Sequence, residues 1–186
     1  DYSVYAAGGI VAYSNGSSAT MNKCYNIGDI YNAYYLAGIA GYHGIITECY
    51  NKGNISTGTG SHAGILGNLD LYNNSYSAPS VTISNCYNAG QIAQVGAYGG
   101  IVGWTQNADW YTLTNNYWET GKGASYGIGE TNSNIGATGV NADTLKGYAS
   151  ILGDAYKADT NNINNVLTLS TCGDTNKYRI VVHAYI

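Results

Sequence analysis

The side chains that could bind a metal ion are few and far apart in the sequence. The three histidines are His43, His62 and His183, and none belongs to a His-x-x-x-His or Cys-x-x-Cys pair. Zinc sites draw their ligands from such closely spaced pairs. The Asp- and Asn-containing segments at 159–162 and 174–178 lack the full calcium-loop pattern and its closing Glu. The sequence therefore predicts no metal and no cofactor.

Carboxylates are the next candidates for chemistry. Glycoside hydrolysis needs two of them facing one cleft, and the candidates are Asp70, Asp109, Glu119 and Glu130. None recurs with a partner at a fixed spacing, and the single arginine, Arg179, stands far along the C-terminal segment. The 11 acidic residues spread over 186 positions are typical of a solvated surface. We therefore predict a protein that is not an enzyme, with a polysaccharide lyase or hydrolase as the alternative.

Aromatic side chains are the third group. The chain has 20 Tyr and 3 Trp but no Phe, which indicates rings whose polar ends lie near water. Such rings can stack on sugars, while Asn and Gln side chains bind sugar hydroxyls. The competing interpretation is that the rings pack on each other and cover apolar corners. The candidate binding residues are Tyr25, Tyr50, Tyr87, Tyr117, Trp104, Trp110 and Trp118.

The tyrosines of this set belong to a repeated octapeptide. It reads KCYNIGDI at 23–30, ECYNKGNI at 48–55 and NCYNAGQI at 85–92, and in a degraded fourth copy Asn116 and Tyr117 stand at the Cys and Tyr positions. A second motif, Gly-Ile among small residues, interleaves with the octapeptide. Its copies begin at Gly9, Gly38, Gly64, Gly100 and Gly127. Two motifs that recur in alternation along a chain indicate stacked, equivalent structural units.

The octapeptide alternates with the period of a β-strand. Its charged positions fall on one face, which is therefore predicted to face solvent. Asn and Gly at its centre predict a turn, because both tolerate a positive φ. In the second copy the inward set is Cys49, Asn51, Gly53 and Ile55, and the outward set is Tyr50, Lys52 and Asn54.

A unit of about 25–30 residues with short strands cannot bury its own inner face, but stacked units can. Parallel stacking places equal residues over one another, and cysteines at one repeat position suit a buried column better than a disulfide. The predicted ladder residues are Cys24, Cys49, Cys86, Asn26, Asn51 and Asn88. We predict an all-β, right-handed parallel β-helix of four or five coils. A β-propeller or sandwich of antiparallel hairpins is the alternative fold.

The pattern changes after the repeats. Residues 141–153 predict a short helix, capped by Asn141 or Asp143, that would cover the open end of the repeats. Two strand-like runs follow, at 166–170 and 178–186. The predicted domains are a β-helix repeat domain at 1–140 and a C-terminal cap and tail at 141–186.

Composition limits the classes of partner. The formal net charge is −4 and no window is strongly basic, which disfavours nucleic acid because phosphate binding needs clustered Lys or Arg. No apolar run approaches the ~18 residues of a membrane-spanning helix, so we expect no membrane insertion. The remaining partners are a host or environmental glycan or protein surface, and other copies of the chain.

The two motifs together resemble the GLUG-type repeats of large bacterial cell-surface proteins. The matching segments are AGGIVA with CYNIGDI, AGIAG with CYNKGNI and GGIVG with CYNAGQI, and the resemblance covers residues 6 to about 165. It implies an extracellular location on the bacterial cell surface and an adhesin-like role. The His-Glu-x-x-His motif of the IgA-cleaving metallopeptidases that carry such repeats is absent, so that activity is not expected.

The predicted function is a non-catalytic, extracellular structural or adhesive module, with glycan binding as one form of adhesion. A second hypothesis is a self-assembling fibre subunit joined end to end. It follows from the N-terminal segment, where neither a polar helix nor a proline precedes the first Gly-Ile strand to cover its edge. A strand-like tail at 178–186 could then pair with the exposed edge of the next subunit.

Overall fold

The computed structural model describes residues 4–14, 20–42, 44–69, 81–105 and 111–147, together with the backbone of two strands at 166–170 and 181–185. In these residues the chain forms twenty strands, numbered β1–β20 along the sequence. Every strand pair between β1 and β18 is parallel. The prediction of an all-β chain is therefore confirmed, and no two of the strands β1–β18 form an antiparallel hairpin; one isolated antiparallel bridge joins Ile128 and Ser133.

The Gly-Ile motif forms two sheets, one on each side of the Gly-Ile pair. The first sheet contains β1 (Val4–Gly8), β5 (Ala33–Ala37), β10 (Ser61–Ala63) and β14 (Tyr98–Gly99). The second sheet contains β6 (Ala40–Tyr42), β11 (Leu66–Asn68) and β15 (Val102–Trp104). In both sheets each strand pairs with its counterpart in the neighbouring repeat, as a repeat with a buried inner face requires.

The octapeptide and the residues before it form three further sheets. The third contains β2 (Thr20–Asn22), β7 (Ile45–Thr47), β12 (Val81–Ser84) and β16 (Tyr111–Thr114). The fourth contains β3 (Tyr25–Asn26), β8 (Tyr50–Asn51), β13 (Tyr87–Asn88), β17 (Asn116–Glu119) and β18 (Ala137–Val140). The fifth contains β4 (Ile30–Tyr31) and β9 (Ile55–Ser56).

The segment after the repeats contains a helix and a hairpin. Residues 142–147 are helical, and the Oδ1 atom of Asn141 accepts a hydrogen bond of 2.8 Å from the N–H of Thr144. Asn141 is therefore the N-cap, and Asp143 instead contacts Lys146. Strands β19 (Val166–Ser170) and β20 (Val181–Tyr185) pair with each other in antiparallel orientation.

Inward side chains from successive repeats form apolar columns. Met21, Ile46, Ile83 and Leu113 follow one another in register in the third sheet and are all buried. Ile39, Ile65, Ile101 and Ile128, which follow the glycines of the Gly-Ile motif, are fully buried and belong to the same core cluster. The apolar residue three positions before each Cys and the Ile of each Gly-Ile pair therefore supply the core.

The expected turn at Asn-x-Gly differs from the observed backbone. Gly53 does not have a positive φ, whereas the residue immediately before each Cys or its replacement does. These left-handed residues are Lys23, Glu48, Asn85 and Asn115, with φ of 54° or 55°. Glycine is needed at position 53 for a different reason: a Cβ there would collide with the backbone carbonyl of Gly28 in the preceding repeat.

The two sequence motifs meet across the interior. A Cβ on Gly38 would collide with the side chain of Asn51, and one on Gly64 would collide with that of Asn88. In the first three repeats the glycine of the Gly-Ile pair thus leaves the space that the asparagine of the same repeat fills. This contact explains why the two motifs alternate along the chain.

Replacing Gly38 by alanine is expected to be severely destabilising. The added methyl group would overpack a site bounded by Asn51 and the backbone of Gly64, so we expect Gly38→Ala to lower the free energy of unfolding by about 1–3 kcal/mol or more. Gly147→Ala is the control, because nothing lies within 4 Å of a Cβ at this helical position. Equal midpoints for the two variants in denaturant titration would contradict the assigned Gly–Asn packing.

Candidate functional site

The outward tyrosines of the octapeptide lie over one another on the fourth sheet. We call Tyr25, Tyr50, Tyr87 and Tyr117 the tyrosine column, and all four are in register. The rings of Tyr25 and Tyr50 are stacked with centroids 5.2 Å apart, and those of Tyr50 and Tyr87 with centroids 4.9 Å apart. These separations match the ~4.8 Å distance between strands, so the backbone spacing itself sets the ring spacing.

Exposure falls from Tyr25 to Tyr87 along the tyrosine column, and Tyr117 is again half-buried. Tyr25 is 44% exposed, Tyr50 is half-buried and Tyr87 is only 4% exposed. Burial, followed by the neighbouring ring, raises the pKa of both Tyr50 and Tyr87. Their hydroxyl groups therefore stay protonated, and Tyr25 is the most accessible ring of the column.

A polar column runs beside the tyrosines, and we call Asp29, Asn54 and Gln91 the amide column. The backbone N–H of Asn54 donates to Oδ1 of Asp29 over 2.8 Å, and the N–H of Gln91 donates to Oδ1 of Asn54 over 3.1 Å. Between the two columns, the Nζ atom of Lys52 lies 5.4 Å from the ring centroid of Tyr50. Tyrosine rings, the Asn54 and Gln91 amides, the Asp29 carboxylate and the Lys52 ammonium thus lie along the outward positions of these repeats.

An open groove lies at the end of the amide column. It has a volume of about 560 Å³ and is lined by residues 91–94 of one repeat and by Gly121, Gly123, Ala124 and Ser125 of the next. Gly121 has a φ of +83°, and nothing lies within 4 Å of a Cβ built on it. Gly121 stands in the next repeat at the position that Gln91 has in its own repeat. Because glycine has no side chain, the groove stays open beside the amide of Gln91.

The sequence also named three tryptophans as candidate binding residues, and the structure places two of them. Trp118 is only 3% exposed and belongs to the hydrophobic core, because it stands in register with the inward Asn88. That prediction is therefore wrong for Trp118. Trp104 lies on β15 of the second sheet, paired with Asn68, and not on the tyrosine face. Trp110 lies outside the described residues.

The inward asparagines form a hydrogen-bonded ladder. Nδ2 of Asn26 donates to Oδ1 of Asn51 over 2.8 Å, and Nδ2 of Asn51 donates to Oδ1 of Asn88 over 2.7 Å. Asn51 also donates to the carbonyl of Gly53 and accepts from its N–H. The buried amide of Asn51 therefore has two donated and two accepted hydrogen bonds, which is close to its full capacity.

The inward cysteines form a second column and are all free thiols. The N–H of Cys24 donates to Sγ of Cys49, and the N–H of Cys49 donates to Sγ of Cys86. The pKa of Cys49 is raised to about 12: its contact with Cys24 lowers the pKa, but the contact with Cys86 and burial outweigh that effect. Thiols held protonated at neutral pH are poor nucleophiles and poor metal ligands, so this column is structural.

A buried histidine, His62, was not singled out by the sequence patterns as an interior residue. It lies on β10 between Leu36 and Tyr98, fully buried, and its Nδ1–H donates to the carbonyl of Ala93 over 3.1 Å. Its Nε2 atom is buried without a hydrogen-bond partner in the described part of the chain. Burial lowers the pKa of His62, so the ring is neutral at physiological pH.

The remaining candidates for chemistry are dispersed. Glu119 pairs with Lys122 over 3.8 Å, and Glu130 is exposed. Asp70 and Asp109 lie outside the described residues. Within the described ranges, no group of three His, Cys, Asp or Glu side chains is arranged to hold a metal ion.

The Asn ladder generates a stability prediction. In Asn51→Asp a carboxylate would replace the amide that donates to Asn88 and Gly53, leaving a buried charge facing two acceptors. We expect a loss of about 3–5 kcal/mol in the free energy of unfolding at neutral pH. Asn32→Asp is the control, because Asn32 is exposed and its Oδ1 only accepts a hydrogen bond, from Thr57. Comparable losses in urea titrations of the two variants would refute the ladder.

His62 generates a pH prediction. Its folded pKa lies below the unfolded value of about 6.5, so the unfolded chain binds the extra proton. The contribution of His62 is complete above that pH and is lost as the pH falls below it, by at most about 1.4 kcal/mol per pH unit. Unfolding free energies of the wild type and His62→Gln, measured from pH 7.5 to pH 5, should diverge. Parallel profiles would show that His62 is not buried as a neutral ring.

Two further observations bear on the class of protein. Among the described residues, no helix is long and apolar enough to cross a membrane. Searches against protein-family models, curated proteins and solved structures find no match to this chain.

Proposed function

We propose that this chain is a non-catalytic structural and adhesive module of a bacterial cell-surface protein, built from GLUG-type repeats as a right-handed parallel β-helix of four or five coils. The support for the β-helix is the parallel register of successive repeats in all five sheets. Each repeat uses its inward polar side chains to bind the next, which is the behaviour of a structural stack.

The observation that carries the adhesive role is the face shared by the tyrosine column and the amide column. The exposed ring of Tyr25 offers a flat apolar surface, because Tyr50 stacks on one of its faces. The side chains of Asn54 and Gln91, four residues after the column tyrosines of their own repeats, offer hydrogen-bonding groups. Sugars have both apolar faces and hydroxyl groups, so this combination suits a glycan. The groove beside Gln91 extends the polar part of the surface.

A glycan array probed with the full chain tests this proposal. We expect binding to a subset of glycans, weakened by about 1–3 kcal/mol in Tyr25→Ala, the range typical of an aromatic anchor. Tyr34→Ala is the matched control, because Tyr34 is also 44% exposed but lies on β5 of the first sheet. An array without hits, or equal losses in both variants, would remove the tyrosine column as the binding face.

The same experiment separates the enzyme alternative. If the array glycans are cleaved during incubation above the rate of a blank, the chain is a polysaccharide-active enzyme and the non-catalytic proposal fails.

A fibre subunit joined end to end remains the second candidate function. It is favoured by the open edge of the first repeat, where Val4 and Ile27 are 54% and 68% exposed.

A further inference from the structure

The asparagine ladder has a direction. Asn26 and Asn51 each donate Nδ2 to the asparagine of the following repeat, so Asn51 and Asn88 accept with Oδ1 from the preceding one. Asn26 is the first member, and its Oδ1 accepts only the N–H of Gly28, over 3.2 Å. Among the described residues, the place of a preceding donor at Asn26 is therefore empty.

The backbone beside Asn26 continues the same pattern. In the second repeat, the N–H groups of Tyr50 and Lys52 donate to carbonyls of the first repeat over 3.1 Å and 2.8 Å. The third repeat binds the second in the same way, through Tyr87 and Ala89. The equivalent donors of the first repeat are the N–H groups of Tyr25 and Ile27, and neither has a partner in the described part of the chain.

Exposed apolar side chains surround these unpaired groups. Tyr25 is 44% exposed, Ile27 68% and Tyr31 53%. In the next repeat the residue equivalent to Ile27 is Lys52, which is charged, and the residue paired with Tyr31 is Ser56. Open donors, an open acceptor and apolar side chains therefore coincide on one edge, as expected of a surface that is covered by a partner.

We propose that this edge, residues 23–31, binds a parallel strand of the form Cys-Tyr-Asn-x-Gly supplied by another polypeptide. The asparagine of the incoming strand donates its amide N–H to Oδ1 of Asn26, and its backbone carbonyls accept the N–H groups of Tyr25 and Ile27. Its tyrosine stacks on the open face of Tyr25. The complex continues the interface already present between successive repeats, and the inference rests on the proposed stacking of the repeats.

The described residues of a second copy do not continue the asparagine ladder at this edge. At the other end of the ladder Nδ2 of Asn88 donates to the carbonyl of Gly90, and Trp118 and then Gly139 occupy the following ladder positions. That end offers no ladder amide to Asn26. Two first repeats meeting face to face would bring the Oδ1 atoms of their Asn26 residues together, acceptor against acceptor.

Binding of a labelled repeat peptide tests the proposal. The probe is a fluorescent peptide with the sequence of residues 44–58, GIITECYNKGNISTG, titrated with the full chain under reducing conditions and followed by anisotropy. We expect saturable binding. A peptide with Asp in place of its ladder asparagine should bind at least tenfold more weakly, because a carboxylate has no N–H to donate and would face an acceptor.

Two variants at one position provide the matched control. Ile27→Pro removes the N–H that the incoming strand needs and no hydrogen bond of the described fold, so it should abolish peptide binding. Ile27→Ala keeps that N–H and should bind within a few-fold of the wild type. Circular dichroism should show the same folded signal for both variants.

Three results would overturn the proposal. They are equal binding of the asparagine and aspartate peptides, no saturable binding at millimolar peptide, and self-association of the chain that Ile27→Pro abolishes. The last result would identify a second copy as the occupant and favour the fibre. Glycan binding is measured without peptide. A negative glycan array therefore leaves the peptide titration interpretable, and a negative peptide titration leaves the glycan array interpretable.

Discussion

The buried amide of Asn51 is the interaction on which the repeat depends. It has four hydrogen bonds, two with the Gly53 backbone and two with the equivalent asparagines of the repeats before and after it. A buried amide without such partners would cost several kcal/mol. The ladder therefore requires successive repeats to lie in strict parallel register at the strand spacing, and it requires glycine at position 38 to leave room.

The fourth repeat shows which parts of this arrangement can change. Asn116 stands at the cysteine position, and its Oδ1 accepts the N–H of Cys86, as a sulfur atom does in the earlier repeats. Trp118 stands at the asparagine position and fills the space beside Gly100 with an apolar ring. The cysteine column thus ends on an asparagine and the asparagine column ends on a ring. Within the described residues, the ladder therefore has an open acceptor at Asn26 and an apolar ring, Trp118, after Asn88.

Much of the fold could be predicted because two interleaved motifs, the octapeptide and the Gly-Ile motif, both recur along the sequence. The alternation of the octapeptide predicts that Cys49 and Asn51 point inwards, and both are fully buried. The reason for Gly53 could not be predicted, because close approach of two backbones depends on repeats 25 residues apart. The burial of Trp118 had a signal in the sequence: the alignment that matches Asn116 and Tyr117 to Cys and Tyr also places Trp118 at the asparagine position.

The sequence by itself determined the class of fold, the repeat boundaries and the residue types of each column, because a period of two and a recurring motif depend only on local order along the chain. Tertiary structure alone decided which tyrosines remain accessible, since Tyr25 and Tyr87 have the same neighbours in sequence but exposures of 44% and 4%. It also decided that His62 is buried and neutral and that the asparagine ladder donates in one direction. These properties depend on what stacks above and below each residue, and that information is absent from any single repeat.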